Sequence, residues 1–343
     1  MTIPVAILGA TGYAGAELVR MIDGHPNFAV AHLGAHTQAG KRAGSVLPGI
    51  AGQLANMTLA GADAIIPDAV ALVFTALPHA AAAKSVAKAL ALGKKVVDLS
   101  ADFRHQSPAI YQQAYGIEHP HPELFKQAVY GLCEHTRDKV AISSLVANPG
   151  CYPTSMLLPL IPLLKADVVH KESIIVDAKS GASGAGRSAK TDLLYCELNE
   201  SVKAYGLPRH RHAWEMEEWA EGLSGAAIRV RFVPHILPMG RGMLSTLHLS
   251  GSEVERWHGL LEQSYRHEPF IRLLPLGELP STAGVRGSNR CDIGISLLGE
   301  GEAVIVSCID NLIKGAAGQA IQNANLMFSL NEETGLPKHA TWP

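Results

Sequence analysis

The segment Asn148-Pro149-Gly150-Cys151-Tyr152-Pro153-Thr154 places one cysteine on a tight Pro-Gly turn. An apolar stretch with helical character, residues 155–164, follows directly. A thiol at the N-terminus of a helix lies at the positive end of the helix dipole, close to unpaired backbone N–H groups. Both features favour the thiolate, which is the nucleophilic form of cysteine. Cys151 is therefore the candidate nucleophile.

A histidine-rich segment supplies candidates for moving a proton to and from that thiol. It reads Arg209-His210-Arg211-His212-Ala213-Trp214-Glu215. An imidazole has a pKa in the range that acid–base work near neutral pH requires, and a nearby carboxylate such as Glu215 can orient it. Spacing alone does not decide whether His210 or His212 faces the thiol, and a basic surface turn is the alternative interpretation of the segment.

Three glycines near the N-terminus predict a dinucleotide site. Gly9, Gly12 and Gly15 lie between a predicted strand, residues 3–8, and a predicted helix, residues 16–22. Glycines at a strand–helix junction permit a tight turn and let a pyrophosphate approach the backbone N–H groups of the helix N-terminus. This position strengthens a motif that would be weak by itself.

The next predicted strand, residues 28–33, favours NADP over NAD. An NAD site usually has an acidic residue after this strand that binds the ribose 2′-hydroxyl. Here the chain continues through His36 and Thr37 without an acid, and the basic residues Lys41 and Arg42 follow. We therefore expect these residues to bind a 2′-phosphate. The alternative interpretation is that Lys41 and Arg42 belong to a solvated loop that binds no ligand.

Three further segments have the composition of ligand-binding loops. The small-residue run Ser180–Arg187 can present backbone donors to an anion. Arg104 follows a predicted strand and can hold a carboxylate or phosphate with two parallel hydrogen bonds, or form a structural salt bridge instead. A third segment, residues 234–242, adds His235 and Arg241, for which structural and functional roles are equally compatible with the pattern.

Alternating strands and helices indicate an α/β fold with a parallel sheet in the first half of the chain. After Cys151 the predicted strands have longer connections, which is typical of an α+β domain with a mixed or antiparallel sheet. A long amphipathic helix, residues 312–330, is expected to pack back on the first domain. The predicted domains are therefore 1–147 with 312–343, and 148–311.

Composition excludes several classes of protein. The 343 residues are 47% hydrophobic with a net charge of −2, so no electrostatic argument supports binding to nucleic acid or an anionic membrane. No apolar run reaches membrane-spanning length and no signal peptide is recognisable. The cysteines are odd in number and lack a CxxC pair, which predicts neither a disulfide framework nor a metal site. A reducing, cytoplasmic location is the expectation.

A thiolate, a histidine and a dinucleotide motif together resemble the N-acetyl-gamma-glutamyl-phosphate reductase family of arginine biosynthesis. The resemblance extends over nearly the whole chain, and the cysteine motif is its most specific part. The matching segments are GATGYAGAEL (9–18), DLSADFR (98–104), YGL-x-E (130–134), NPGCYPT (148–154), SGASGAGR (180–187), HRH-x-x-E (210–215), PH-x-x-PM-x-RG (234–242), CDIG (291–294) and DNLIKGAAGQAIQNAN (310–325).

The resemblance implies a phosphorylating aldehyde dehydrogenase with a Rossmann-type NADP domain and an α+β domain for catalysis and homo-oligomerisation. The thiolate would attack a small acyl-phosphate substrate and release phosphate, hydride from NADPH would reduce the thioester, and His210 would protonate the product of that step. The implied site residues fall into three groups: catalytic Cys151, His210 and Glu215; substrate-binding Arg104, Ser180, His212 and Arg241; and cofactor-binding Gly9, Thr11, Gly12, Tyr13, Gly15, Thr37, Ser183, Gly184 and Asn311. Trp214 departs from the family, which often has proline there.

Three other functions remain open at this point. A related semialdehyde dehydrogenase could act on an aspartyl or aminoadipyl phosphate. A cysteine–histidine acyl hydrolase or transferase would need no nicotinamide, which the glycine motif disfavours. A non-catalytic NADP-binding regulator would not need both Cys151 and His210.

Overall fold

The computed structural model describes residues 2–61 and 64–342. Contacts divide the chain into two compact units. Unit 1 comprises Met1–Pro149 and Ala316–Leu336, and unit 2 comprises Gly150–Gly315 and Pro337–Pro343. The domain bounds predicted from the sequence assign the C-terminal tail to the first domain, and they stay a prediction.

Unit 1 contains a sheet in which every pair of neighbouring strands is parallel. Its described strands are β1 (Ile3–Leu8), β2 (Phe28–Gly34), β3 (Leu72–Thr75), β4 (Lys95–Asp98), β5 (Ala128–Tyr130) and β6 (Leu145–Ala147). The order across the sheet is β2-β1-β3-β4-β6-β5. The chain passes from β2 on one side of β1 to β3 on the other, and such a switch point opens a ligand crevice at the carboxyl ends of the strands.

Unit 2 contains a mixed sheet. Its described strands are β7 (Ile174–Gly181), β8 (Lys203–Ala204), β9 (Val230–Leu237), β10 (Met243–Ser250), β11 (Ile271–Leu273), β12 (Cys291–Gly299) and β13 (Glu302–Ile309). Across the sheet the order is β11-β12-β13-β10-β7-β9-β8, with parallel pairing for β11–β12 and β7–β9 and antiparallel pairing elsewhere. The predicted fold class, a Rossmann-type parallel sheet with a second α+β domain, is confirmed.

Helices cover the two sheets. The described α-helices are α1 (Tyr13–Asp23), α2 (Ala43–Val46), α3 (Gly52–Asn56), α4 (Ala83–Ala91), α5 (Pro108–Tyr115), α6 (Cys133–Ala141), α7 (Cys151–Lys165), α8 (Tyr195–Leu198), α9 (Arg211–Ser224), α10 (Trp257–Tyr265) and α11 (Gly318–Met327). In unit 2, α7 packs on β10 and β13, and α9 packs on α7 and β9. Within the described ranges, no helix combines the length and apolarity that crossing a bilayer requires.

The predicted amphipathic helix over residues 312–330 differs from the structure. A π-helical turn, Ile313–Ala317, precedes α11, and nearly every residue of α11 is buried. Its polar side chains bond inside unit 1 instead of facing solvent. Both Gln319 Nε2 and Asn323 Nδ2 donate to the carbonyl of Gly131, at 2.7 and 2.9 Å. Burial all round a helix carrying amides is possible because these hydrogen bonds offset the loss of water.

Candidate active site

Cys151 is the first residue of α7, as the Pro-Gly turn predicts. Gly150 is the N-cap residue, with extended backbone (φ −67°, ψ 153°) and no side chain to cap the helix. The helix begins four residues earlier than the apolar run suggested and is buried along almost its whole length. The half-buried thiol therefore sits at the positive end of a 15-residue helix.

Glu215 contacts the residue before the cysteine. Its Oε1 accepts a hydrogen bond from the backbone N–H of Gly150 at 2.8 Å. Only 1% of Glu215 is exposed to solvent. The carboxylate, which projects from the second turn of α9, thus fixes the backbone at the N-terminus of α7.

His210 caps the N-terminus of α9. Its Nδ1 accepts a hydrogen bond from the backbone N–H of His212 at 3.2 Å, and 7% of the residue is exposed. Burial, together with the neighbouring positive charge of Arg211, lowers the pKa of His210 to about 4. The imidazole is therefore neutral at pH 7. Because Nδ1 is the acceptor, the ring proton belongs on Nε2.

Two tyrosines pack around His210. The hydroxyls of Tyr152 and Tyr205 lie 2.9 Å apart, and both rings meet the imidazole edge to face, with centroids 5.9 and 5.6 Å away. Burial raises the pKa of Tyr205 to about 12 and also raises the pKa of Tyr152 above its usual value. Both hydroxyls stay protonated near neutral pH, so they remain hydrogen-bond donors.

The buried His212 completes this cluster. Its ring centroid lies 4.9 Å from that of His210 and 5.8 Å from that of Tyr152. The structure therefore brings both candidate histidines against the residue that follows Cys151. Sequence reasoning assigned no role to Tyr205, whose signal would have been an aromatic side chain five residues before His210.

The small-residue run after β7 meets the end of β13. Asn311 Nδ2 donates to Ser183 Oγ at 2.9 Å, and Asn311 Oδ1 accepts from the N–H of Gly242 at 2.8 Å. Ser180 is buried at the end of β7, and Gly184 packs close to it, since a Cβ there would lie 2.9 Å from Ser180 Oγ. Ser180, Ser183, Gly184 and Asn311, all predicted to bind ligands, therefore lie close together in unit 2.

Arg241 lies beside a buried carboxylate. Its Nη1 is 3.6 Å from Asp310 Oδ2, and 30% of its side chain is exposed. Asp310 Oδ2 also accepts from the N–H of Gly287 at 2.8 Å. The predicted binding of substrate by Arg241 stays a prediction.

The glycine motif of unit 1 forms the junction between β1 and α1. Gly9 has φ +84°, and a Cβ on it would lie 2.3 Å from the carbonyl oxygen of Ala76. A Cβ on Gly15 would lie 2.2 Å from the Gly9 oxygen, so packing requires glycine at both positions. Gly12, the N-cap of α1, is different, because its Cβ would meet nothing closer than 3.5 Å.

A pyrophosphate group fits this junction. The open approach at Gly12 leads to the first N–H groups of α1, which has neither a capping side chain nor an acid in its first turn. Thr11 is half-buried and Tyr13 is exposed at this mouth, and Thr37 is exposed after β2. Binding of a dinucleotide by the backbone of Gly9, Gly12 and Gly15 stays a prediction.

The basic residues after β2 lie on a well-anchored turn. Lys41 and Arg42 are both exposed. The backbone around them is held by pairing of Arg42 with Thr58 and by a hydrogen bond from Gly40 N–H to the Leu59 carbonyl at 2.8 Å. This turn presents two cations beyond the carboxyl end of β2.

Arg104 bonds to backbone in unit 1. It is 5% exposed, and its Nε donates to the carbonyl of Asn148 at 2.8 Å while Nη2 donates to that of Leu99 at 2.7 Å. Asn148 is also held through its side chain, which donates to the Ala316 carbonyl at 3.1 Å and accepts from Asn323 Nδ2 at 3.1 Å. Arg104 therefore fixes the chain leading to the cysteine turn, and its binding of substrate stays a prediction.

Known protein families match both halves of the chain. Residues 4–143 match the family described as semialdehyde dehydrogenase, NAD binding domain, and residues 151–311 match semialdehyde dehydrogenase, dimerisation domain. The N-acetyl-gamma-glutamyl-phosphate reductase of Geobacter metallireducens is 47% identical over 97% of both chains. That of Geotalea daltonii is 48% identical over 99% of both. The chain belongs to the N-acetyl-gamma-glutamyl-phosphate reductase family.

Members of this family are oxidoreductases of the semialdehyde dehydrogenase type, as the sequence predicts. Solved structures of aspartate semialdehyde dehydrogenases share the fold. That of Vibrio cholerae enzyme II aligns with a TM-score of 0.72 at 18% identity, covering 96% of this chain and 99% of its own. The Candida albicans enzyme with NADP aligns with a TM-score of 0.69 at 16% identity, covering the same shares. At such identities the likeness concerns the fold alone.

Trp214 lies on α9 and packs against Arg209. The guanidinium of Arg209 stacks over its ring at 3.7 Å, and Arg209 also pairs with Glu217. Glu215, the next residue, still reaches the Gly150 N–H. Tryptophan at position 214 is thus compatible with the hydrogen bond from Gly150 to Glu215.

Proposed function

We propose that this protein reduces N-acetyl-glutamyl 5-phosphate to N-acetylglutamate 5-semialdehyde, with NADPH as the hydride donor and Cys151 as the nucleophile. The observation that carries the proposal is the site around the start of α7. There a half-buried thiol on a helix N-terminus lies next to Tyr152, which packs against His210 and His212. Membership of the reductase family supports the choice of substrate.

The first step is acyl transfer to sulfur. The thiolate of Cys151 attacks the acyl carbon, the C–O bond to phosphate breaks, and phosphate leaves with the electron pair. The N-terminus of α7 favours the anionic sulfur before attack. The product is a thioester on Cys151.

The second step reduces that thioester. NADPH, which the glycine junction of unit 1 would hold, would supply the hydride for this reduction, and the acyl group on Cys151 would become a thiohemiacetal oxyanion. The oxyanion collapses, the C–S bond breaks, and the aldehyde leaves as the thiolate re-forms. The protein has to stabilise the oxyanion with preorganised donors.

His210 is the proposed donor. A neutral imidazole with its proton on Nε2 donates a hydrogen bond without requiring an imidazolium, which a pKa of about 4 makes scarce at pH 7. The cap to the His212 N–H and the flanking tyrosine rings fix the direction of the ring. The backbone N–H of Cys151 is a second candidate donor.

NADP is favoured over NAD by charge. The turn after β2 presents Lys41 and Arg42, and no acid stands at the end of that strand to bind a free 2′-hydroxyl. Two cations there suit a 2′-phosphate.

We also propose a homo-oligomer in the cytoplasm, acting in arginine biosynthesis. The description of residues 151–311 as a dimerisation domain supports self-association. A reducing compartment suits a catalytic thiol, since oxidation would inactivate it.

The proposal is tested in the reverse direction by following reduction of NADP. N-acetylglutamate semialdehyde is supplied with and without phosphate, and aspartate semialdehyde serves as the comparison. Phosphate-dependent turnover selective for the acetylated aldehyde is the expected result. Selectivity for aspartate semialdehyde would reassign the substrate, and turnover without phosphate would contradict release of phosphate as the forward step.

A further inference from the structure

A glycine backbone lies directly against the candidate nucleophile in unit 2. A Cβ built on Gly315 would lie 2.8 Å from Cys151 Cβ and 3.3 Å from Cys151 Cα. Carbon atoms that are not bonded approach to about 3.5–4.0 Å at their optimum. Position 315 therefore has room for a hydrogen atom on the side facing Cys151, and a methyl group would collide with it.

A second residue also crowds this position. The same built Cβ would lie 3.2 Å from Cδ1 of Ile309, the last residue of β13. The last residue of β13 and the first residue of α7 thus both border the space that a side chain at position 315 would occupy. Strain from a larger residue could be relieved only by moving one of these two neighbours.

Gly315 belongs to the π-helical turn Ile313–Ala317, which is firmly anchored. The N–H of Gly315 donates to the carbonyl of Asp310 at 3.0 Å, the five-residue spacing of a π turn. The fully buried Asp310 carboxylate accepts from the N–H of Leu312 at 2.9 Å and from that of Gly287 at 2.8 Å. Such turns are rare and often occur at functional sites.

We propose that Gly315 is a positioning residue for the nucleophile, and that the π turn holds its backbone against Cys151 to set where the thiol points. This rests on the proposed role of Cys151 as the nucleophile. Nucleophilic attack requires the reacting atoms to be about 3–3.5 Å apart and aligned, and a shift of 1 Å can cost a factor of about 100 in rate. A glycine that restricts the thiol on one side supplies such alignment without any polar contact to substrate.

The test uses alkylation of the thiol together with steady-state kinetics. Cys196 is exposed whereas Cys133, Cys291 and Cys308 are buried, so in a Cys196→Ser background iodoacetamide reports on Cys151. In that background, Gly315→Ala should change the alkylation rate and lower kcat, each by about tenfold or more. The KM for NADP should stay within about twofold, because the added methyl group collides with Cys151 and the glycine junction that would hold the dinucleotide is unchanged.

The matched control is Gly259→Ala in α10. A Cβ at position 259 meets nothing within 4 Å, so this variant should keep the parent alkylation rate, kcat and KM. Parent-like alkylation and kcat in Gly315→Ala would overturn the proposal.

A second variant separates displacement of the thiol from a general loss of stability. Ile309→Val alone removes the Cδ1 atom and adds no atom beside Cys151, so it should lower the stability, measured as the unfolding midpoint, while kcat and the alkylation rate keep their parent values. Changes of both rates in Ile309→Val as large as those in Gly315→Ala would show that lost stability accounts for them, and would overturn the proposal. If Cys151→Ser kept its turnover, the proposed reaction would fail, whereas the alkylation comparison would still decide the role of Gly315.

Discussion

The carboxylate of Glu215 accepts the backbone N–H of Gly150 at 2.8 Å, one residue before Cys151. The sequence suggested that Glu215 orients a histidine, and the structure adds a contact on the cysteine side of the site. A buried anion that binds the N-cap residue fixes the first turn of α7, and with it the direction of the Cys151 side chain. Glu215 therefore acts on the nucleophile through the backbone.

Two replacements of Glu215 should distinguish the contribution of its hydrogen bond from that of its charge to stability and to kcat. Glu215→Ala leaves the buried Gly150 N–H without its acceptor, which should cost about 1–3 kcal/mol of stability. Glu215→Gln keeps an acceptor oxygen and should cost less. Urea unfolding and kcat should both rank the variants parent, Gln, Ala. Equal losses for Gln and Ala would assign the effect to charge.

His210→Asn should damage turnover more than His212→Asn. Asparagine at an N-cap accepts a backbone N–H as well as histidine does, so His210→Asn preserves the cap of α9 while removing the Nε2 proton. Loss of one preorganised hydrogen-bond donor to an oxyanion costs about 10²–10³ in rate. The measurement is kcat at pH 7 for both variants. A larger loss for His212→Asn would make His212 the active imidazole.

His210 should also make stability depend on pH. Its pKa is about 4 when folded and about 6.5 when unfolded, so between these values the unfolded chain binds more protons. Stability contributed by neutral His210 is therefore present above pH 6.5 and is lost as pH falls towards 4, by up to about 3 kcal/mol.

The unfolding midpoint of the parent should accordingly fall more between pH 7 and pH 5 than that of His210→Asn. Other buried histidines, such as His25 and His32, titrate in both proteins and cancel in this comparison. Identical pH profiles for the two proteins would show that His210 is not held neutral by burial.

Much of the fold can be predicted from the sequence, because buried parallel strands appear in it as continuous apolar runs. This is how β1 and β2 are predicted nearly to their ends. The strands β5 and β6 have three residues each, too few for any pattern to be recognised.

The candidate site could be predicted only in part, because some hydrogen bonds that hold it join residues far apart in the sequence. The Pro-Gly turn predicts the position of Cys151, since that signal is local. Gly131 and Asn323 are 192 residues apart, and their hydrogen bond is invisible in a linear pattern. The sequence pattern of α11 predicts an amphipathic helix for the same reason: the residues that bind its buried polar side chains are distant in the sequence.

Charge reversal after β2 should change the preference for the cofactor. If Lys41 and Arg42 bind the 2′-phosphate, Arg42→Glu should raise the KM for NADP by about tenfold or more, since charge-assisted hydrogen bonds contribute about 1.5–3 kcal/mol. The KM for NAD should change far less. Lys84→Glu, on the exposed face of α4, controls for a general effect of charge on unit 1. Equal changes in both KM values would contradict recognition of the 2′-phosphate.

Cys151→Ser tests the covalent route, because a serine hydroxyl at the same helix N-terminus is not ionised near neutral pH and attacks poorly. Turnover should fall nearly to zero while binding of NADPH persists, since the glycine junction that would hold the dinucleotide lies in unit 1. Quenching of protein fluorescence by NADPH measures binding, and phosphate-dependent reduction of NADP measures turnover. A serine variant that keeps more than a small fraction of the parent rate would exclude the thioester, whereas loss of binding along with turnover would point to a folding defect and would call for Cys151→Ala.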